Sequence, residues 1–163
     1  MSVTRMVISG LVVGMLVGLV IPALAAGGDQ SALWTAKVGI LAPVSDGTNA
    51  GILLGVEREL NSWQGSRSAI ELDYAHPSEG GNGVDAWYLL YNMRYHVNGG
   101  GYLGWGAGLN ETDASGPGNS DTTNFAYRVF YGQRWDRITA EVGWLSGLRD
   151  DNSGLTLSVG LRF

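Results

Sequence analysis

Leu155-Thr156-Leu157-Ser158-Val159-Gly160-Leu161-Arg162-Phe163 closes the chain. Apolar residues stand at every odd position, and Thr156, Ser158, Gly160 and Arg162 at the even ones. A period of two places successive side chains on opposite faces of an extended strand. Here the polar face carries a full charge, Arg162, where a water-soluble barrel would place its core.

The same alternation recurs upstream. Strands are predicted over Trp34–Ala42, Ile52–Leu60, Ala69–His76, Ala86–Val97, Tyr102–Asn110, Asn124–Trp135 and Ile138–Ser146, before Leu155–Phe163. Their lengths suit tilted strands that cross a bilayer. Long connections follow the odd-numbered strands: Pro43–Gly51, Pro77–Asp85, Glu111–Thr123 and Gly147–Gly154. Short ones, Asn98–Gly101 and Asp136-Arg137, follow the fourth and sixth. Asn61–Ser68, after the second, is of intermediate length and fits the pattern least well. Long loops outside and tight turns on the periplasmic side are the asymmetry of bacterial outer-membrane barrels. The predicted fold is therefore all-β: an eight-stranded antiparallel up-and-down transmembrane β-barrel.

The faces sort accordingly. Val38, Ile40, Leu54, Val56, Leu72, Leu89, Leu103, Val129 and Val142 are assigned to lipid. Trp34, Tyr95, Trp135 and Phe163 would form a periplasmic aromatic girdle, and Tyr74, Trp87, Phe125 and Trp144 an outer one. Arg58 interrupts the apolar face near a strand end, where a long side chain can reach the interface. The opposite face carries Lys37, Glu57, Glu59, Glu71, Asp73, Arg94, Arg128, Arg134, Glu141 and Arg162. Equal numbers of each sign can pair, as buried charges must. Glycines at 39, 55, 104, 106, 108, 132, 143 and 160 leave room for the arginines. A filled lumen follows, since side chains can occupy the interior of a barrel this small. The competing fold is a soluble lipocalin-like barrel with an apolar cup.

Ahead of the strands, Arg5 precedes an apolar run from Met6 to Leu24, and Ala23-Leu24-Ala25 offers small residues for cleavage. Residues 1–25 are read as a cleaved signal peptide and 26–163 as the barrel domain; Ala26 is the alternative cut, and a retained membrane helix the alternative role. The chain has no cysteine, which excludes disulfides and thiolate metal sites. A net charge of -5 makes nucleic acid a poor partner.

Tyr91-Asn92-Met93-Arg94-Tyr95-His96 followed by Gly101-Tyr102-Leu103-Gly104-Trp105-Gly106-Ala107-Gly108-Leu109 resembles a hairpin of the small outer-membrane β-barrel superfamily. That group includes the OmpA-, OmpX- and OmpW-like barrels. Gly160-Leu161-Arg162-Phe163 resembles its carboxy-terminal assembly signal. The resemblance covers residues 34–163 and implies a monomer in the outer membrane of a Gram-negative-type bacterium. Outer-membrane lipid and lipopolysaccharide would surround it, and the barrel-assembly machinery would read its last residues. Members range from structural anchors to adhesins, conduits and enzymes, so function rests on the site residues.

Those residues favour a non-enzymatic structural or surface-interaction role. A narrow conduit for ions or small hydrophobic molecules is the first alternative, and a lipid A-modifying enzyme the second. His76 precedes Pro77-Ser78-Glu79, but a base and a nucleophile must meet in space, and the His-x-Ser-Asn pattern of lipid A deacylases is absent. His96 is assigned to the inward network. No catalytic, cofactor-binding or metal residue is assigned, and no cofactor is expected. The outer connections carry Asp46, Glu79, Asp85, Glu111, Asp113, Asp121, Asp150 and Asp151 against Arg149. Carboxylates of this kind suit calcium or magnesium, yet their spacing matches no dedicated loop. Gly80–Gly83 and Ser115–Ser120 read as turns, because a phosphate loop needs a following helix.

Overall fold

Residues 34–44, 49–63, 65–77, 85–113, 122–147 and 153–163 are described in the computed structural model. The strands are β1 (Trp34–Pro43), β2 (Gly51–Trp63), β3 (Ser66–Pro77), β4 (Asp85–His96), β5 (Gly101–Asp113), β6 (Thr122–Trp135), β7 (Ile138–Gly147) and β8 (Gly154–Arg162). They pair in sequence order, and β8 returns antiparallel to β1 to close the barrel. Closure leaves no unpaired edge, the condition for a sheet to cross hydrocarbon.

Several strands reach further than the alternation alone predicted, and the largest change falls at the second connection. β2 and β3 zip to within a tight turn, with Trp63 opposite Ser66. The register shifts between Glu59 and Asn61, so Leu60 is the extra residue of a β-bulge. A bulge breaks the period of two, which is why Asn61–Ser68 read as loop. Gly65 makes the reversal at φ 81°, a backbone region that glycine enters without steric cost. The three short connections therefore share one end of the barrel, and the four long ones share the other.

Face sorting follows the expected scheme. Val38 is 57% exposed while its neighbour Lys37 is 6% exposed, and the contrast recurs around the wall. Leu89, Leu103, Val129, Val142 and Leu157 all project outward. Such a belt would aggregate in water, and it matches the solvent a bilayer core provides. A lipocalin-like arrangement would invert these faces. At the short-turn end Trp34, Tyr95 and Trp135 are exposed, and Arg58 lies 5.4 Å over the Trp34 ring. The Arg58 charge is thus carried by an aromatic face at the interface.

The inward face is not uniformly polar. Near the long-connection end Leu41, Leu53, Ala75, Ala86, Tyr88, Leu90, Ala126 and Leu145 form a buried apolar tier. The glycines also serve the interior differently from the expectation. A Cβ on Gly104 would lie 2.3 Å from the Phe130 ring, and one on Gly132 would lie 2.3 Å from that of Tyr102. Aromatic rings, not guanidinium groups, fill the space directly against these glycines. The rings then carry the arginines: Arg128 sits 4.4 Å from the Phe130 centroid, and Arg94 sits 5.3 Å from that of Tyr102.

Gly108 is the tightest of these positions, since a Cβ would stand 1.9 Å from the Leu89 carbonyl oxygen. Backbone in a neighbouring strand cannot yield as a side chain can. Gly108→Val is expected to destabilise the barrel by about 1–3 kcal/mol or more, while Ala107→Val, on the outward face, stays near wild type. Urea midpoints of both variants in lipid vesicles measure this. Equal midpoints would mean that β4 and β5 do not approach so closely.

Candidate functional site: the filled lumen and its two rims

Residue type and strand parity place charges in the middle of the barrel. Lys37 on β1 points inward and donates to Glu57 at 3.0 Å, Glu71 at 2.6 Å and Glu141 at 3.0 Å. Arg128 on β6 bridges Glu71 at 2.7 Å and Glu141 at 2.6 Å. Arg94 on β4 forks onto Glu57 and donates to Glu141 at 3.0 Å. Tyr102 donates to Glu141 at 2.8 Å, and Asn92 donates to Glu71. Asp73 is the outlying member, with Oδ2 3.8 Å from Arg128 Nη1. All these ionic side chains are at most 4% exposed. Charges removed from water are tolerable only when paired and hydrogen-bonded; Lys37, Arg94, Arg128, Glu57, Glu71 and Glu141 meet that condition, while neither Asp73 oxygen makes a hydrogen bond among the described residues. The web also blocks the lumen.

The short-turn rim differs. Glu59 accepts from Arg67 at 2.5 Å and from Arg162 at 2.6 Å. Arg67 was not among the expected interior charges, because Ser66-Arg67-Ser68 lies beside the bulge and read as turn. Arg134, expected to pair, has no hydrogen bond or ion pair among the described residues. It lies within electrostatic reach of Arg67, Arg162 and Glu59, and its guanidinium sits 5.9 Å from the Tyr102 ring. His96 bonds through Nδ1 with the Gly65 carbonyl at 3.2 Å and lies beside Tyr102.

At the opposite rim His76 faces outward. Its Nδ1 is 2.8 Å from Asp85 Oδ1 and 3.4 Å from the Tyr74 hydroxyl. Tyr74 in turn packs against Trp87, with centroids 4.7 Å apart. The described partners of His76 are therefore Asp85 and Tyr74; Ser78 and Glu79 lie outside the described residues. The same holds for Asp46, Gly80–Gly83, Ser115–Ser120, Asp121, Arg149, Asp150, Asp151 and residues 1–25. Among the described residues, no group of three or more histidine, aspartate or glutamate side chains is placed to hold a metal.

Closure, outward apolar belt and buried ionic web together define a small transmembrane β-barrel with a filled lumen. A designed transmembrane β-barrel superposes with a TM-score of 0.62 at 9% identity, over 83% of this chain and 98% of that one. The Yersinia pestis outer-membrane protein Ail, in a phospholipid bilayer nanodisc, superposes with a TM-score of 0.51 at 13% identity, over 82% of this chain and 100% of that one. At these identities the likeness is one of fold. No protein-family model and no curated protein sequence matches the chain.

Proposed function

We propose that this chain is exported behind a signal peptide comprising residues 1–25. Residues 26–163 then serve as a monomeric, non-enzymatic barrel in the outer membrane of a Gram-negative-type bacterium, with a structural or surface-interaction role. The observation that carries this reading is the ionic web of Lys37, Arg94 and Arg128 with Glu57, Glu71 and Glu141, which leaves no free passage through the middle of the lumen. What remains to meet other molecules is the outer wall and the long connections. The apolar belt supports contact with lipid, and the outer aromatic group of Tyr74 and Trp87 supports contact with lipopolysaccharide at its headgroup level. The alternating Leu155–Phe163 segment supports recognition by the barrel-assembly machinery. It forms β8, which closes the barrel against β1.

Single-channel recording in planar bilayers tests the reading. The refolded chain is expected to give no conductance above the bare membrane. Reproducible steps would overturn the closed lumen and favour the narrow conduit instead.

A further inference from the structure

We infer that the short-turn mouth of the barrel is a binding site for a phosphate group, held by Arg67, Arg134 and Arg162 around Glu59. Charge is segregated along the lumen. The central web sets Lys37, Arg94 and Arg128 against Glu57, Glu71 and Glu141, with Asp73 outlying. At the mouth guanidinium groups predominate: Arg67 and Arg162 bond Glu59, and Arg134 lies within electrostatic reach of all three. Like charges brought together repel, so the arrangement is stabilised by an added anion.

Geometry fits the same ligand. Glu59 ties down Arg67 and Arg162 through one oxygen each, at 2.5 Å and 2.6 Å, and so holds them in place. Arg134 keeps its donors uncommitted while its guanidinium is positioned over the Tyr102 ring. A planar guanidinium presents paired N–H donors that match two phosphate oxygens. Access is from water: the Arg67 side chain is 35% exposed, and those of Glu59 and Arg162 are 13% and 12% exposed. The central web, by contrast, is sealed. Glu59 stands opposite Ala69 on β3, and Arg67, two residues from Ala69 on the same strand, reaches it diagonally.

The phosphate has two conceivable sources, a soluble phosphate or phosphomonoester and the phosphodiester of a lipid headgroup. The full barrel is refolded in dodecyl maltoside micelles, which contain no phosphate. Arginine Nε–Hε resonances are followed by NMR at constant ionic strength, with chloride as the replaced anion. One arm titrates inorganic phosphate, and the other adds phosphatidylglycerol to the micelles. Saturable shifts at Arg134 and Arg67 are expected, and Arg134→Gln is expected to weaken binding about tenfold or more, the worth of one charged hydrogen bond. Arg134→Lys keeps the charge without the fork and is expected to weaken it too, which guards against a folding defect in the glutamine variant. Saturation in the first arm assigns the site to a soluble phosphate, and saturation in the second alone assigns it to a headgroup. No saturable shift in either arm would overturn the site. So would a chloride response of equal size, or wild-type affinity in both Arg134 variants.

Discussion

Glu141→Ala is expected to lower the stability of the barrel by about 3–5 kcal/mol, the usual cost of removing one partner from a buried ionic group. Glu141 accepts from Lys37, Arg94, Arg128 and Tyr102 at 2.6–3.0 Å. Truncation leaves three buried cations sharing fewer carboxylates inside a sealed interior. Urea unfolding in lipid vesicles, followed by tryptophan fluorescence, should show the midpoint falling by at least about 1 M. Glu111→Ala, at an exposed position near the long-connection end, should leave the midpoint where it is. Equal midpoints for both variants would mean that the lumen is hydrated and that its ion pairs add nothing.

Val129→Arg should cost about 2–4 kcal/mol in a bilayer, as a charge does on the lipid face at mid-depth. Val129 is 51% exposed and sits midway along β6. It is flanked by Trp105 and Trp144 on the neighbouring strands, so no polar partner stands across from it. The penalty should shrink when arginine replaces Ile138, near the rim, where the side chain reaches water. A depth profile from the two variants thus reports the bilayer directly. A Val129→Arg protein that stays folded and soluble without lipid or detergent would contradict the transmembrane architecture.

The strand count and the two faces were legible because alternation survives in every strand, down to Leu155–Phe163. Local pattern could not see past the bulge at Leu60, since one inserted residue inverts the phase of all that follow. Arg67 was lost with it, because its partner segment on β2 read as loop and Ser66-Arg67-Ser68 as turn. The apolar tier escaped notice because Leu41, Leu53, Leu90 and Leu145 stand beside lipid-facing apolar residues, and their inward parity was outweighed by their hydrophobic character. Pair identities were beyond sequence altogether: Lys37 meets Glu141 at a separation of 104 residues, and Arg162 meets Glu59 at 103. Arg134 looked like one more member of a balanced set until its height in the barrel separated it from the central web.

Lys37 binds carboxylates on β2, β3 and β7, and Arg162 on β8 reaches back to β2. No contiguous half of the sheet contains this set of partners. A partly inserted chain would therefore hold unneutralised charge against hydrocarbon, at a cost of several kcal/mol per group. Hairpin-by-hairpin entry is expected to leave Lys37 and Arg162 without their partners until the ends of the sheet meet. The expected route into the membrane is a concerted one, in which the first and last strands meet and the charges find one another as the wall enters the bilayer.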